Sequence, residues 1–431
     1  MSSISSSDQP VFNHSISDAV RYLRSPRAIR ERCGQIFELA LTDDLQHFSC
    51  HLDALDDAAA YVIDVMQEAY PDAQIPFHSR WRHFEVGTLD RMATFQDAIQ
   101  QYPKHEQARI KIDLAIVSVL LDAGAGKDWS YVEPGDNQRL SRSEGLAIAS
   151  FHMFCDGAFS SDPKYPHQVD SDGLQALTIS DLNAGFQIST SNPLIGLEGR
   201  LHLLHHLADA LVQSPHLFGK RNIDEASQPS TVRPGYLLDY LIANHPTQHI
   251  SAEIVLIAVL EGLSSIWPGR VIIDGMNLGD VWPHPALPKT SSSSNLVPFH
   301  KLSQWLTYSL LEPLAEGGLT IVDLDSLTGL PEYRNGGLFI DLGVLQPKHR
   351  DVIQQAHAPG TSIIVEWRSL TVLLLDRLAE RIRQRLNLTT EQLPLACVLQ
   401  GGSWSAGRRI ARDRRPGGVP PIQIDSDGTV F

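Results

Sequence analysis

The chain has 431 residues, a formal charge of −15, 42% hydrophobic residues and 20% charged ones. This balance suits a globular protein with a core of its own, and it lacks the basic footprint that binding to a phosphate backbone requires, which argues against nucleic acid as a partner. No apolar run is long enough to span a bilayer, which argues against a membrane partner. The four cysteines (Cys33, Cys50, Cys155, Cys397) form no CxxC pair, so they fit a reducing, cytoplasmic location and offer no disulfide or metal framework.

The opening MSSISSSDQP has no basic region followed by an apolar core. It does not read as a secretory signal, and residues 1–20 are expected to be disordered. Ser25 and Pro26 open the first clear helix, serine as N-cap and proline in the first turn, with Ile29, Cys33, Ile36, Phe37 and Ala40 at helical spacing. A second helix is predicted over 52–70, with Leu55, Ala59, Val62, Met66 and Ala69 on one side and Pro71 as its stop. Residues 75–91, IPFHSRWRHFEVGTLDR, have no clean period. They mix Phe77, Trp81 and Phe84 with His78, Arg80, Arg82, His83 and Glu85. Such a segment can line a pocket, aromatics stacking on a ligand and charges orienting it, or it can be a core loop with a few surface charges.

Helices are predicted next over 109–122, 143–159, 197–212, 234–243 and 251–266. In the third of these, His202 and His206 lie four apart on one face, yet neither an HExxH glutamate nor a paired carboxylate accompanies them, so no metal is implied. Residues 270–275 are a strand candidate, and the serine run 291–294 is a flexible point suited to a mobile lid. The stretch 297–345 starts as an amphipathic helix carrying Lys301 and Gln304 and passes an acidic turn with Asp323 and Asp325. It then reaches a turn at 331–337, where Glu332, Tyr333 and Arg334 precede two glycines. A purely structural turn rarely needs a carboxylate, a phenol and a guanidinium together.

Residues 363–386 form a long helix. In the tail, Gly401, Gly402 and Ser403 precede Arg408, Arg409, Arg412, Arg414 and Arg415. Glycine amides and arginines together suit an anion; the alternative is a basic turn paired to the protein's own acids. No repeat of solenoid period appears and no domain boundary stands out. The pattern predicts a mainly α protein of about ten helices and one or two short strands, a single helical domain over 21–431 with the Gly/Arg-rich tail, 395–431, packed on it.

Four segments, SPRAIRERCGQIFELAL, IPFHSRWRHFEVGTLDR, VPFHKLSQWLTYSLLEPL and LTGLPEYRNGGLFIDLGVL, together with the tail GGSWSAGR, RRPGG and SDGTVF, resemble the uracil catabolism protein four family. That family, of long unknown function, is associated with a uracil-degradation route in fungi and bacteria. A more remote resemblance is to the queuosine salvage N-ribosylhydrolases, which cleave a modified base from its ribose 5′-monophosphate. Their F-Y-K-x-x-Q-x-L helix is matched by Phe299, His300, Lys301, Gln304 and Leu306. Their A-D-Y-R turn is matched by Pro331, Glu332, Tyr333 and Arg334, and their L-G-x-L end by Leu342, Gly343, Val344 and Leu345. PLIGLEGRLHLL resembles that family's P-L-L-x-E-R helix start at Arg200, and IIVEWRSLTVLL its E-V-E-I-R stretch at Glu366 and Arg368. Three features depart: Glu332 stands for the aspartate of A-D-Y-R, Ser309 stands where an aspartate follows the lysine, and the Gly/Arg tail has no counterpart.

The resemblance implies the fold of the queuosine salvage proteins, which is DNA glycosylase-like, and N-glycosidic hydrolysis. That reaction passes through an oxocarbenium-like state that a carboxylate stabilises while a second group handles water and the leaving group. Glu332 is the first choice for the carboxylate, with Asp323 or Asp325 as its partner. Lys301 and Arg334 suit a 5′-phosphate, lysine as a point charge and arginine as a fork. Tyr333, Gln304, Arg80, Arg200 and Arg408 complete the candidate binding set, and Trp81 and Phe77 could stack on the leaving group. An internal Glu332–Arg334 salt bridge is the structural alternative. The implied ligand is a ribonucleotide or ribose phosphate, with no cofactor. If uracil is first made into its ribonucleotide and then ring-opened, the substrate is a ribosylurea 5′-phosphate. Competing readings are a uracil phosphoribosyltransferase, a ureide amidohydrolase and a nucleotide-binding protein without turnover.

Overall fold

Helices form where the sequence supplies both a cap and an apolar face. In the computed structural model, Ser25 accepts a hydrogen bond from Ala28 N at 3.1 Å and Pro26 occupies the first turn of the helix Pro26–Leu41, which buries Ile29, Cys33, Ile36, Phe37 and Ala40. The structure describes residues 16–122, 124–126, 128–135, 137–220 and 231–425. Residues 1–15 of the segment expected to be disordered, and the closing SDGTVF, lie outside these. A capped helix, Asp18–Leu23, already begins inside that segment. The protein is mainly helical, as expected, with strands of two or three residues that pair two by two. Strands this short leave no alternating pattern in the sequence, so only the one at Ile272–Ile273 was foreseen.

By packing, the chain divides into two units built from interleaved segments. The first takes in Ser79–Pro268 and Ser309–Val322, the second Ser17–His78, Gly269–Tyr308 and Asp323–Phe431.

In the first unit the helix Lys104–Leu120 is buried at every residue over 112–120 and packs against Arg142–Cys155 and Leu197–Gln213. Arg200 donates to the carbonyls of Leu121 at 3.1 Å and Gly124 at 3.3 Å, and also to that of Ile195, so its guanidinium satisfies the carbonyl end of that helix. A parallel pair joins His249–Ser251 to Thr320–Val322. Pro313 lies inside the helix Lys301–Glu316. Lacking an N–H, it leaves the carbonyl of Ser309 without its helical donor, and the indole N–H of Trp81 takes that place at 2.8 Å.

The second unit is built on the helix Ser362–Leu386. Its first half is buried nearly all round, and it packs against Pro26–Leu41, Leu55–Ala69 and Tyr333–Asp341. Two readings of the sequence are corrected here. The expected turn at 331–337 is the start of the helix Tyr333–Asp341, and the Gly/Arg tail contains the helix Trp404–Arg414, which packs on Tyr333–Asp341. The serine run is a bonded turn: Ser294 Oγ accepts from Thr290 N at 2.8 Å and donates to Pro288 O at 2.9 Å, and Arg32 holds Ser294 O at 2.6 Å.

Candidate functional site

Two helix starts in the second unit are braced by one arginine. Arg368, 1% exposed, forks onto Asp280 at 2.8 and 2.7 Å and donates from Nε to Pro331 O at 3.3 Å, with its guanidinium 4.0 Å from the centre of the Phe299 ring. Asp280 accepts the backbone N–H of Lys301 at 3.0 Å, at the start of Lys301–Glu316. Pro331 immediately precedes Glu332, the N-cap of Tyr333–Asp341. Burial alone would raise the Asp280 carboxyl, but the charge and hydrogen bonds of Arg368, with Trp282 and the Lys301 amide, hold it at about 2. A permanent ion pair thus fixes Lys301 and Glu332 on one scaffold.

Glu332 is 8% exposed, and its two oxygens accept from Arg334 N at 2.8 Å and Asn335 N at 2.6 Å. Burial pushes its carboxyl above the usual range, against the pull of those amides and of the Lys301 and Arg334 charges. Arg334 donates from Nη1 to Gly418 O at 3.0 Å and lies 5.0 Å from the centre of the Tyr333 ring. Its Nε and Nη2 have no hydrogen-bond partner among the described residues. The Glu332–Arg334 contact runs through the Arg334 backbone amide, so the internal salt bridge weighed as the structural alternative does not form. Asn335 donates to Leu330 O at 3.0 Å and accepts from Ser403 Oγ at 2.8 Å, which ties this helix start to the wide turn Val398–Ser403.

On the far side of that turn stands His78, which composition alone did not single out. It is 5% exposed, its Nδ1 lies 2.9 Å from Gln400 Oε1, and its ring centre is 5.9 Å from that of Trp404. Arg408 covers the Trp404 ring at 5.4 Å. Burial, offset in part by Gln400 and helped by Lys301, lowers the imidazole to about 4, so it is neutral at physiological pH. Lys301 is therefore close enough to act electrostatically on both Glu332 and His78. The available signal for His78 and Trp404 lay in the segments IPFHSRWRHF and GGSWSAGR, without a spacing that tells a site residue from a core one.

The other expected site residues have structural work. Asp325 pairs with Arg383 and accepts from Leu395 N at 2.7 Å, while Asp323 is exposed in a left-handed conformation (φ 53°). Neither is hydrogen-bonded to Glu332. Gln304, fully buried, clasps Thr328 N at 2.9 Å and Phe299 O at 3.0 Å. Phe77 is half-buried beside His78. Arg80, Trp81 and Arg200 belong to the first unit. There Arg80 is fully buried, pairing with Asp122 at 3.0 Å and donating to Ser118 Oγ at 2.8 Å, while Trp81 and Arg200 complete the helix contacts described above. Of the tail arginines, Arg409 pairs with Glu68 at 2.7 Å and Arg415 forks onto Asp341. Among the described residues no group of three or more His, Cys, Asp or Glu side chains could hold a metal ion.

A protein family described as of unknown function, DUF1688, matches residues 22–431. The chain belongs to this family. Two curated relatives match it over 96% of this chain and 100% of their own length. One is "Uracil catabolism protein 4" of Lachancea kluyveri, 39% identical, and the other "Protein urg3" of Schizosaccharomyces pombe, 38% identical. The family match takes in both helix starts, His78 and the Trp404 helix, so the whole cluster lies within the shared sequence. No helix is long and apolar enough to cross a membrane among the described residues.

Proposed function

We propose that the protein is an N-ribosylhydrolase of uracil catabolism, cleaving the N-glycosidic bond of a ring-opened uridine nucleotide, a ribosylurea 5′-phosphate, to ribose 5-phosphate and a urea derivative. The observation that carries this reading is the carboxyl of Glu332, held by two backbone amides in the field of Lys301 and two residues before Arg334. The Lachancea kluyveri relative, named for uracil catabolism, supports the pathway, and the sequence pattern around Lys301 and Glu332 supports the reaction class.

In this reading the Lys301 ammonium and the Arg334 Nε and Nη2 groups, unpartnered among the described residues, hold the phosphate. The Glu332 carboxylate lies against the ribose and stabilises the positive charge that grows on the anomeric carbon as the C–N bond breaks. Both binding and chemistry then depend on the two helix starts that Arg368 and Asp280 keep in register. The test is direct: purified protein incubated with ring-opened uridine monophosphate should release ribose 5-phosphate in step with substrate loss. No release from a verified substrate overturns the proposal, and turnover that requires pyrophosphate points to phosphoribosyl transfer in its place.

A further inference from the structure

We infer that His78 is the general base of this site, taking a proton from the attacking water at its Nε2; the assignment rests on the ribosylhydrolase reading. Its tautomer follows from its neighbours. Gln400 donates from Nε2 to Tyr70 Oη at 3.3 Å, and its amide oxygen faces His78 Nδ1 at 2.9 Å. The proton therefore sits on Nδ1, and Nε2 carries a lone pair with no hydrogen-bond partner among the described residues. His78 is 95% buried, yet this nitrogen is not one of the fully buried unpartnered atoms, so water reaches it. The ring is held from three directions: its backbone N–H bonds Ala396 O at 3.0 Å, Gln400 holds Nδ1, and the Trp404 ring packs at 5.9 Å. The charged group acting on it is Lys301, which also acts on Glu332.

The division of labour follows from what each group has left. Both Glu332 oxygens already accept amide bonds, which suits an oriented carboxylate that stabilises charge, whereas His78 Nε2 is uncommitted. The water oxygen bonds to the anomeric carbon, and its proton passes to His78 Nε2. The C–N bond breaks with its electron pair on the ureido nitrogen, which takes a proton from solvent. His78 then returns its proton to solvent, and one water is consumed. A base near 4 is about as weak as a carboxylate, the usual base in glycoside hydrolysis, and an oxocarbenium-like centre needs no stronger one.

Two variants test the assignment. His78→Asn keeps a donor for Gln400 and removes Nε2. It should lower kcat by about 100-fold or more while ribose 5-phosphate affinity stays within a few-fold. Gln400→Glu places a carboxylate on the Nδ1 proton, favours the imidazolium, and should move the acid limb of kcat/KM up by roughly one pH unit or more. A normal kcat in His78→Asn, or an unmoved acid limb in Gln400→Glu, overturns the assignment and leaves the reaction standing. Failure of the wild type to release ribose 5-phosphate overturns both.

Discussion

Glu332 carries two duties that pull its chemistry in opposite directions. As an N-cap it is best ionised, since its charge faces the amide end of Tyr333–Asp341. As a buried group its carboxyl is pushed above the usual range, against the pull of the backbone amides and of the Lys301 charge. Glu332→Gln separates the duties. The amide oxygen still accepts one of the two backbone N–H groups, so the helix start should lose only about 1 kcal/mol, read as a small drop in the denaturation midpoint. Turnover should fall at least 100-fold, because a neutral amide offers little to a cationic ribose. A variant with wild-type turnover removes Glu332 from the chemistry. Tyr333 is the converse case: its ring centre lies 5.0 Å from the Arg334 guanidinium, a cation–π contact and not a group for the chemistry.

At the scale of elements, the long periodic helices were legible and the site was legible in part. Ser25 and Pro26 announced the first helix because a cap and a proline act locally. The start of Tyr333–Asp341 was read as a turn because a proline and two glycines usually mean one. In the structure the glycines answer a packing demand instead: a Cβ on Gly336 would come within 2.7 Å of the Trp367 indole. The helix Trp404–Arg414 was hidden for a similar reason. Its Gly407 lies against the carbonyl of Arg334, 2.3 Å from where a Cβ would stand, a contact made 73 residues away in sequence that no local pattern records. Gly407→Ala therefore has to push the two helices apart. It should destabilise the protein by about 1–3 kcal/mol, seen in urea denaturation, and weaken ribose 5-phosphate binding in parallel as Arg334 and Asn335 shift. Unchanged stability would mean that these helices do not meet so closely. His78 escaped because a segment without a period gives no face to read. The absence of a visible domain boundary also has a physical cause: the units are interleaved, and one crossing of the chain falls within the helix Lys301–Glu316, where no linker composition marks it.

The whole molecule is acidic, with a net charge of −15, and it sets several of its shielded acids opposite arginines: Asp113 faces Arg233, Glu133 faces Arg91 and Asp280 faces Arg368. Glu366 has no such partner. It is 1% exposed; one oxygen accepts the amides of His47 and Phe48 at 3.0 and 2.9 Å, and the other faces His284 Nε2 at 3.8 Å, beyond hydrogen-bond reach. Neither neighbouring histidine helps, since burial lowers both, His284 to about 4. Burial thus raises the Glu366 carboxyl to about 7, with the two amides and Lys348 offsetting only part. The ordinary value, 4.5, describes the unfolded chain, so between the two values the folded protein binds the extra proton. This group's stabilisation is full below the unfolded value and is lost as pH rises through about 7, a change on the order of 3 kcal/mol. Glu366→Gln keeps an acceptor for the two amides and removes the titration. Urea denaturation at about pH 5 and about pH 8 should show the variant gaining on the wild type by a few kcal/mol at the higher pH. Parallel pH curves for the two proteins would mean that Glu366 ionises like a solvent-exposed glutamate and that the core around the long helix admits water there.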